Sequence, residues 1–312
     1  MSNTVIIKSL QEINEMKDYY KENLSAKIPT GGIFAAKTSS CSITAYKSGK
    51  VLFQGAGSET EARKWDSLNG ASAKPMSKKK PTPQGSNGNL PAHFETLSVL
   101  GSDEVGTGDF FGPITVVAAF VKREDIPLLK ELGVKDSKSL TDEKIGEIAK
   151  QIKEVIPYSL LTLHNEKYNQ LQKSGMSQGK LKALLHNQAL KHVLDKIAPA
   201  KPEAILIDQF AQVGVYYNYL KGQSTIVREN VYFSTKAEGI HIAVAAASIL
   251  ARYAFIQHFD KLSEKAGFKI PKGAGHQVDV ACAKLIKAKG KEILPQFVKL
   301  HFANTDKALK LL

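Results

Sequence analysis

The chain has 312 residues, enough for two domains or one large one, and 43% of them are hydrophobic, too many for a disordered chain. No apolar run approaches the roughly 20 residues of a membrane helix, so no membrane partner is expected. The excess of 43 basic over 30 acidic residues, +13 net, favours an anionic partner, with nucleic acid first and a merely basic soluble enzyme second.

The first residues, MSNTVIIKSLQEINE, lack the basic, apolar and small-residue regions of a secretory signal, which predicts a cytoplasmic protein. Cys41 and Cys282 make neither a metal spacing nor a disulfide framework, in keeping with a reducing compartment. Residues 1–72 read as a small α+β domain in the order β-α-β-β-β-α. Val5-Ile6-Ile7 is a strand, and Ser9 with Glu12 has the spacing of a capping box for a helix from Leu10 to Leu24. Strands follow at Ile33–Lys37, Ser42–Tyr46 and Val51–Gln54, and a second capping box, Ser58 with Glu61, opens a helix to Leu68.

Residues 73–95 are rich in Pro, Gly, Ser, Asn and Lys and read as a linker, whose Lys74, Lys78, Lys79 and Lys80 are either solvated or able to touch phosphate. Residues 96–312 form the larger domain. Strands are expected at Ser98–Ser102, Ile114–Val121, Ala204–Ile207 (a central one) and Val231–Ser234, with helices at 141–155, 178–197, 240–265, 277–288 and near the C-terminus. The mixture implies an α/β fold, a central sheet covered on both faces.

Chemistry concentrates where apolar strands end. Asp103 and Glu104 close the first strand, and adjacent carboxylates there resist burial unless a divalent cation neutralises them; an exposed acidic turn is the alternative. Asp208 closes another strand, and if the two strands are parallel it arrives beside Asp103; a helix cap is the alternative. Glu238 stands before the long helix, whose dipole favours an anion. Converging, these carboxylates make an all-oxygen site for Mg²⁺ or Mn²⁺.

Gly106-Thr107-Gly108 joins two strands and opens no helix, so it is not a dinucleotide fingerprint; such a loop brings backbone against a ligand, or is an ordinary hairpin turn. Lys135, Ser137 and Lys138 precede a helix and can hold phosphate. Lys284, Lys287, Lys289 and Lys291 read as a solvated helix face, and His276 and Arg252 as surface or packing residues rather than a general acid and a phosphate ligand.

Taken together, Asp103-Glu104-Val105-Gly106-Thr107-Gly108-Asp109, Lys135-Asp136-Ser137-Lys138, Leu206-Ile207-Asp208 and Ala245–Ala251 resemble type 2 ribonucleases H, most closely the bacterial ribonuclease HIII family. The resemblance covers 96–312 by motif, while residues 1–72 resemble that family's extra domain, similar to the TATA-box-binding fold, by element order. It implies a ribonuclease H-like mixed sheet flanked by helices. It also implies cleavage of the RNA strand of RNA–DNA hybrids by two-metal-ion hydrolysis, leaving 5′-phosphate and 3′-hydroxyl ends.

The family's acidic motif carries over as Asp103, Glu104, Asp208 and Glu238, both catalytic and metal-holding, with Mg²⁺ or Mn²⁺ as cofactor. Gly106, Thr107 and Gly108 would read 2′-hydroxyls, and Lys135, Ser137 and Lys138 would touch the substrate. The N-terminal domain and linker lysines would grip the hybrid backbone, with no obligate protein partner evident. Glu238 and Gly-Thr-Gly stand where ribonuclease HII usually has Asp and Gly-Arg-Gly and resemble ribonuclease HIII, and the missing arginine argues against incision at single ribonucleotides, the closest rival reading. A non-catalytic nucleic-acid binder ranks lower, because four acids aimed at phosphate would hinder it.

Overall fold

The structure is a computed structural model and describes residues 3–26, 28–29, 32–46, 49–66 and 90–312. The linker lysines Lys74, Lys78, Lys79 and Lys80 lie outside them. The chain divides into two compact units, Met1–Thr82 and Pro83–Leu312.

The smaller unit has strands β1 (Asn3–Ile7), β2 (Gly32–Lys37), β3 (Ser42–Tyr46) and β4 (Lys50–Gln54) with helices α1 (Leu10–Tyr19) and α2 (Ser58–Asp66). The strands form one antiparallel sheet in the order β1-β4-β3-β2. Ile13 and Met16 of α1 are buried with Phe34, Ile43, Val51 and Phe53 of the sheet. The capping box of Ser9 and Glu12 forms as expected. Helix α1, however, stops at Tyr19 rather than Leu24, and a 3₁₀ turn takes over at Lys21–Asn23. Tyr20 is held elsewhere: its hydroxyl donates to Glu61 at 2.9 Å and accepts from Trp65 at 3.0 Å. The second capping box is corrected for the same reason. Ser58 is itself the first helical residue, and Glu61 turns to Tyr20 and Lys64.

The larger unit begins before residue 96. Phe94, assigned above to the linker, is buried and packs edge-on against Tyr232 and His241. Its strands are β5 (Val99–Val105), β6 (Ile114–Val121), β7 (Tyr158–Leu163), β8 (Ala204–Asp208) and β9 (Val231–Ser234). Its helices are α3 (Ile126–Glu131), α4 (Asp142–Val155), α5 (Asn165–Lys173), α6 (Gln178–Ile197), α7 (Val213–Tyr219), α8 (Ile242–Ala266), α9 (His276–Lys289), α10 (Leu294–Phe297) and α11 (Asn304–Leu309).

The sheet runs β7-β6-β5-β8-β9, antiparallel from β7 to β5 and parallel from β5 to β9, so β5 is central and β8 its inner neighbour. This is the mixed sheet with helices on both faces that the α/β reading expects. Strand β7 and helices α3, α5 and α7 go beyond that reading.

Two cores sandwich the sheet. Val99, Val117 and Leu206 pack toward α4 and α8, while Leu100, Val116 and Ile207 pack toward α6. Gly101 lets α8 lie directly on β5, because a Cβ there would run into the backbone of Ala243 and Val244. Helix α8 also corrects the expectation about apolar runs: it is long and apolar enough to cross a membrane. Its most apolar window is 72% buried, so it is the core helix of this unit.

Candidate active site

Strand β5 does not end at Asp103-Glu104, as expected, but runs through both to Val105, because β6 keeps pairing along its other edge. The parallel ladder to β8 reaches Ser102 opposite Ile207, so Asp103 and Asp208 are the next residues on two adjacent strands. Alternation along a strand then sorts the carboxylates by face. Asp103 follows Val99 and Gly101 toward α8, as Asp208 follows Leu206, whereas Glu104 follows Leu100 and Ser102 toward α6.

Asp103 is 7% exposed, and its Oδ1 accepts from the Glu104 amide at 2.7 Å. Burial, then the charges of Asp208 and Glu104, push its carboxyl up to about 8. Burial also raises Asp208, which accepts from the Ala237 amide at 2.8 Å. It caps neither α7, whose N-cap is Gln212, nor α8.

Glu104 has the opposite fate. Lys182 Nζ donates to Oε1 at 2.8 Å, and His186 Nε2 lies 2.9 Å from Oε2. Burial works to raise this carboxyl, but His186 and Lys182 more than offset it and hold it at about 2. An ionised carboxylate only accepts, so His186 Nε2 carries the hydrogen; Nδ1 meets Ser102 Oγ at 2.6 Å. Phe210 stacks on the His186 ring, and the Lys182 ammonium sits 4.1 Å from the Phe210 ring centre.

Glu238 lies in a 3₁₀ turn, Ala237–Gly239, ahead of α8, whose N-cap is His241. Lys138 Nζ donates to its Oε1 at 2.5 Å, and Ser248 Oγ donates to Oε2 at 3.3 Å. Ser248 also meets Ser137 Oγ at 2.9 Å, so one hydroxyl on α8 links Glu238 to the Ser137 loop. Lys135 lines a cleft of about 250 Å³ with Glu238 and His241.

Arg252 donates to the Ser137 carbonyl and to Asp142, which Lys272 also pairs at 2.6 Å; it is a packing tie, as expected. His276 stands on α9 beside Asp279, 3.8 Å away. Lys284, Lys287, Lys289 and Lys291 are exposed.

Gly106, Thr107 and Gly108 turn away from the end of β5. Gly106 has φ +95°, and a side chain there would strike the Pro113 carbonyl and Phe255. Gly108 instead faces open space, with no atom within 4 Å of the point where a Cβ would stand. The Thr107 carbonyl accepts from Gln178 Nε2 at 3.1 Å.

Each acid is thus satisfied by a protein donor, and among the described residues no three His, Cys, Asp or Glu stand at metal-holding spacing. The donor set nonetheless fits a hard divalent cation. All four ligand candidates offer carboxylate oxygens, and the raised Asp103 and Asp208 carry a repulsion that such a cation removes. Lys182 and His186 escape the sequence reading, and Ser248 enters it only within the Ala245–Ala251 motif, with no role; a lysine and a histidine one helical turn apart are the only local signal.

A family described as Ribonuclease HII matches residues 100–305, and one described as a domain of unknown function, DUF3378, matches residues 3–80. The chain is 60% identical over 313 residues to ribonuclease HIII of Bacillus mycoides, covering 100% of this chain and 99% of that one. It is likewise 60% identical to ribonuclease HIII of Bacillus cereus, over 100% of both. Among solved structures, Bst-RNase HIII in complex with Mn²⁺ superimposes with TM-score 0.70 at 48% identity, over 99% of each chain. Aquifex aeolicus RNase H3 shares the fold, with TM-score 0.53 at 22% identity, over 96% of this chain and 100% of that one.

Proposed function

Because the chain belongs to the ribonuclease HIII family, within the broader family described as Ribonuclease HII, and is a ribonuclease H endonuclease, we propose that Asp103, Glu104, Asp208 and Glu238 are its catalytic, metal-holding carboxylates. Its substrate is the RNA strand of an RNA–DNA hybrid. Mg²⁺ or Mn²⁺ held by these four carboxylates, two ions with substrate bound, would supply an activated water at neutral pH and would neutralise charge on the leaving 3′ oxygen. The bound Mn²⁺ of Bst-RNase HIII supports a divalent cofactor.

The chain's own residues do the rest. Asp103 and Asp208 present their carboxylates side by side from adjacent strands. Glu104 stays ionised through Lys182 and His186. Lys138, exposed beside Glu238, and Lys135 lie where phosphate oxygens can be met, whereas Ser137, expected to join them, is buried with its hydroxyl against Ser248. The Gly106–Gly108 turn offers backbone groups to a 2′-hydroxyl, with Gly108 leaving room for the sugar. The smaller unit, residues 1–72 as read from the sequence, and the linker 73–95 add a grip on the hybrid backbone.

The observation that carries this reading is the parallel register of β5 and β8, which buries Asp103 against Asp208 on one face. Asp208→Asn tests it by removing charge while keeping shape. Cleavage should fall below about a tenth of wild type, a loss of roughly 1.4 kcal/mol or more, while hybrid binding in Mg²⁺ survives. Cleavage above that level overturns the metal-holding role of Asp208.

A further inference from the structure

The turn that carries Gly106, Thr107 and Gly108 returns to β6 through Asp109-Phe110-Phe111-Gly112, and a buried lysine from the far end of the chain closes on that return. Lys299 is 0% exposed. Its Nζ donates to the Asp109 carbonyl at 2.7 Å and to the Gly112 carbonyl at 2.6 Å. Its backbone N–H donates to the Phe110 carbonyl at 2.9 Å, the Gly112 N–H donates to the Phe297 carbonyl at 3.0 Å, and Phe111 bridges Val298. The segment around Lys299 is therefore an added rung along the returning loop.

A buried ammonium is costly unless its donors are taken up, and here two convergent carbonyls take them up. Burial pulls this lysine down to about 7, against the charge of Asp109. An apolar side chain of the same length would take this donor from the Asp109 carbonyl and leave the Gly112 carbonyl to Asn165 Nδ2 alone, at 2.9 Å. The outgoing side of the loop has its own tie. Gln178, half-buried at the first position of α6, donates from Nε2 to the Thr107 carbonyl and to Tyr168 Oη at 3.3 Å. Gly108 lies between the two ties and faces open space.

We propose that Lys299 and Gln178 are positioning residues for substrate, fixing the Gly106–Gly108 turn at the height from which its backbone meets the RNA sugar. This rests on the reading that the turn contacts RNA. Neither residue touches the carboxylates, so their removal weakens substrate capture and leaves the metal site alone.

The test is steady-state cleavage of a continuous RNA–DNA hybrid by Lys299→Met, Gln178→Ala and Gly108→Val, with Mn²⁺ titration calorimetry on each protein. KM should rise about tenfold for Lys299→Met and about threefold for Gln178→Ala, while kcat stays within about twofold and Mn²⁺ affinity is unchanged. A merely structural role would lower the active fraction and leave KM in place. Wild-type KM in Gln178→Ala and in folded Lys299→Met overturns the proposal, and if Lys299→Met does not fold, Gln178→Ala decides by the same criterion. Gly108→Val separates the two layers. A raised KM there with normal values in the other two sinks the positioning proposal alone, whereas a normal KM for Gly108→Val sinks the reading that the turn meets RNA.

Discussion

The two aspartates and the two glutamates of the acidic site are held in opposite ways. Asp103 and Asp208 are placed by backbone register on neighbouring strands, and among the described residues neither is hydrogen-bonded by a lysine. Their short side chains cannot swing away, and both carboxyls are raised, chiefly by burial. Glu104 and Glu238 have one more methylene and reach lysines, Lys182 and Lys138, on other elements. The strand pair concentrates negative charge that a cation relieves, while the glutamates are held ready by protein cations. The two lysines also differ, since Lys182 is 12% exposed in its side chain and Lys138 76%.

The strongest way to break this comparison is Asp103→Asn. Cleavage should drop by about a thousandfold or more, roughly 4 kcal/mol. The metal-free protein should at the same time become more stable, and increasingly so with pH. The folded carboxyl sits at about 8 against an ordinary value of 3.8, so the folded state binds the extra proton between those limits. Ionising Asp103 therefore costs nothing below the lower limit, costs progressively more as pH rises, and levels off above the upper one. Thermal melts in chelator should show the variant's advantage growing across that window and reaching at least about 3 °C. An advantage independent of pH would mean that Asp103 is not strained by its neighbours.

Next in size is Lys182→Met, which strips a buried carboxylate of its cation. Removing one partner of a buried pair costs about 3 kcal/mol or more, which calorimetry should read as a fall in Tm of roughly 6–12 °C. Cleavage should fall about tenfold as Glu104 loses its hold. A variant that melts like wild type would show that His186 alone secures Glu104.

The smallest effect belongs to Lys138→Met. The lysine of this pair is exposed while the Glu238 side chain is only 6% exposed and keeps Ser248 as a donor, so stability should fall by about 1 kcal/mol, less than for Lys182→Met. If this lysine meets phosphate as proposed, KM for the hybrid should rise about threefold, and the rise should shrink in high salt. Equal melting losses for the two lysine variants would erase the distinction between the glutamates.

Much of this is legible in the residues. Ser42–Tyr46, Ile114–Val121 and Val231–Ser234 stand as read, because apolar β-formers bounded by turns announce a strand. Helix 178–197 also stands as read, and the structure caps it with Ser177. Strand β7 escapes such a reading because Tyr158–Leu163 lies at the sheet edge, where one side chain in two need not be buried. Polar α5 and short α7 give no apolar stripe to read. The end of α1 falls short of its expected place because Tyr20 answers to Trp65 and Glu61, far along the chain.

The acidic residues are visible because carboxylates beside apolar strands conflict with their surroundings. The period of a strand already puts Asp103 and Glu104 on opposite faces, a local property of two consecutive residues. What α6, α8 and the C-terminal segment bring to those faces is not local. Lys182, His186, Ser248 and Lys299 look in the sequence like ordinary helical or surface residues. They acquire their partners only when helices pack on the sheet across separations of 78 residues for Lys182 and Glu104 and 190 for Lys299 and Asp109. Periodicity records which side of an element is buried, whereas the neighbour met there is set by crossing angle, register and the close approach that Gly101 allows, and these exist only in the folded chain.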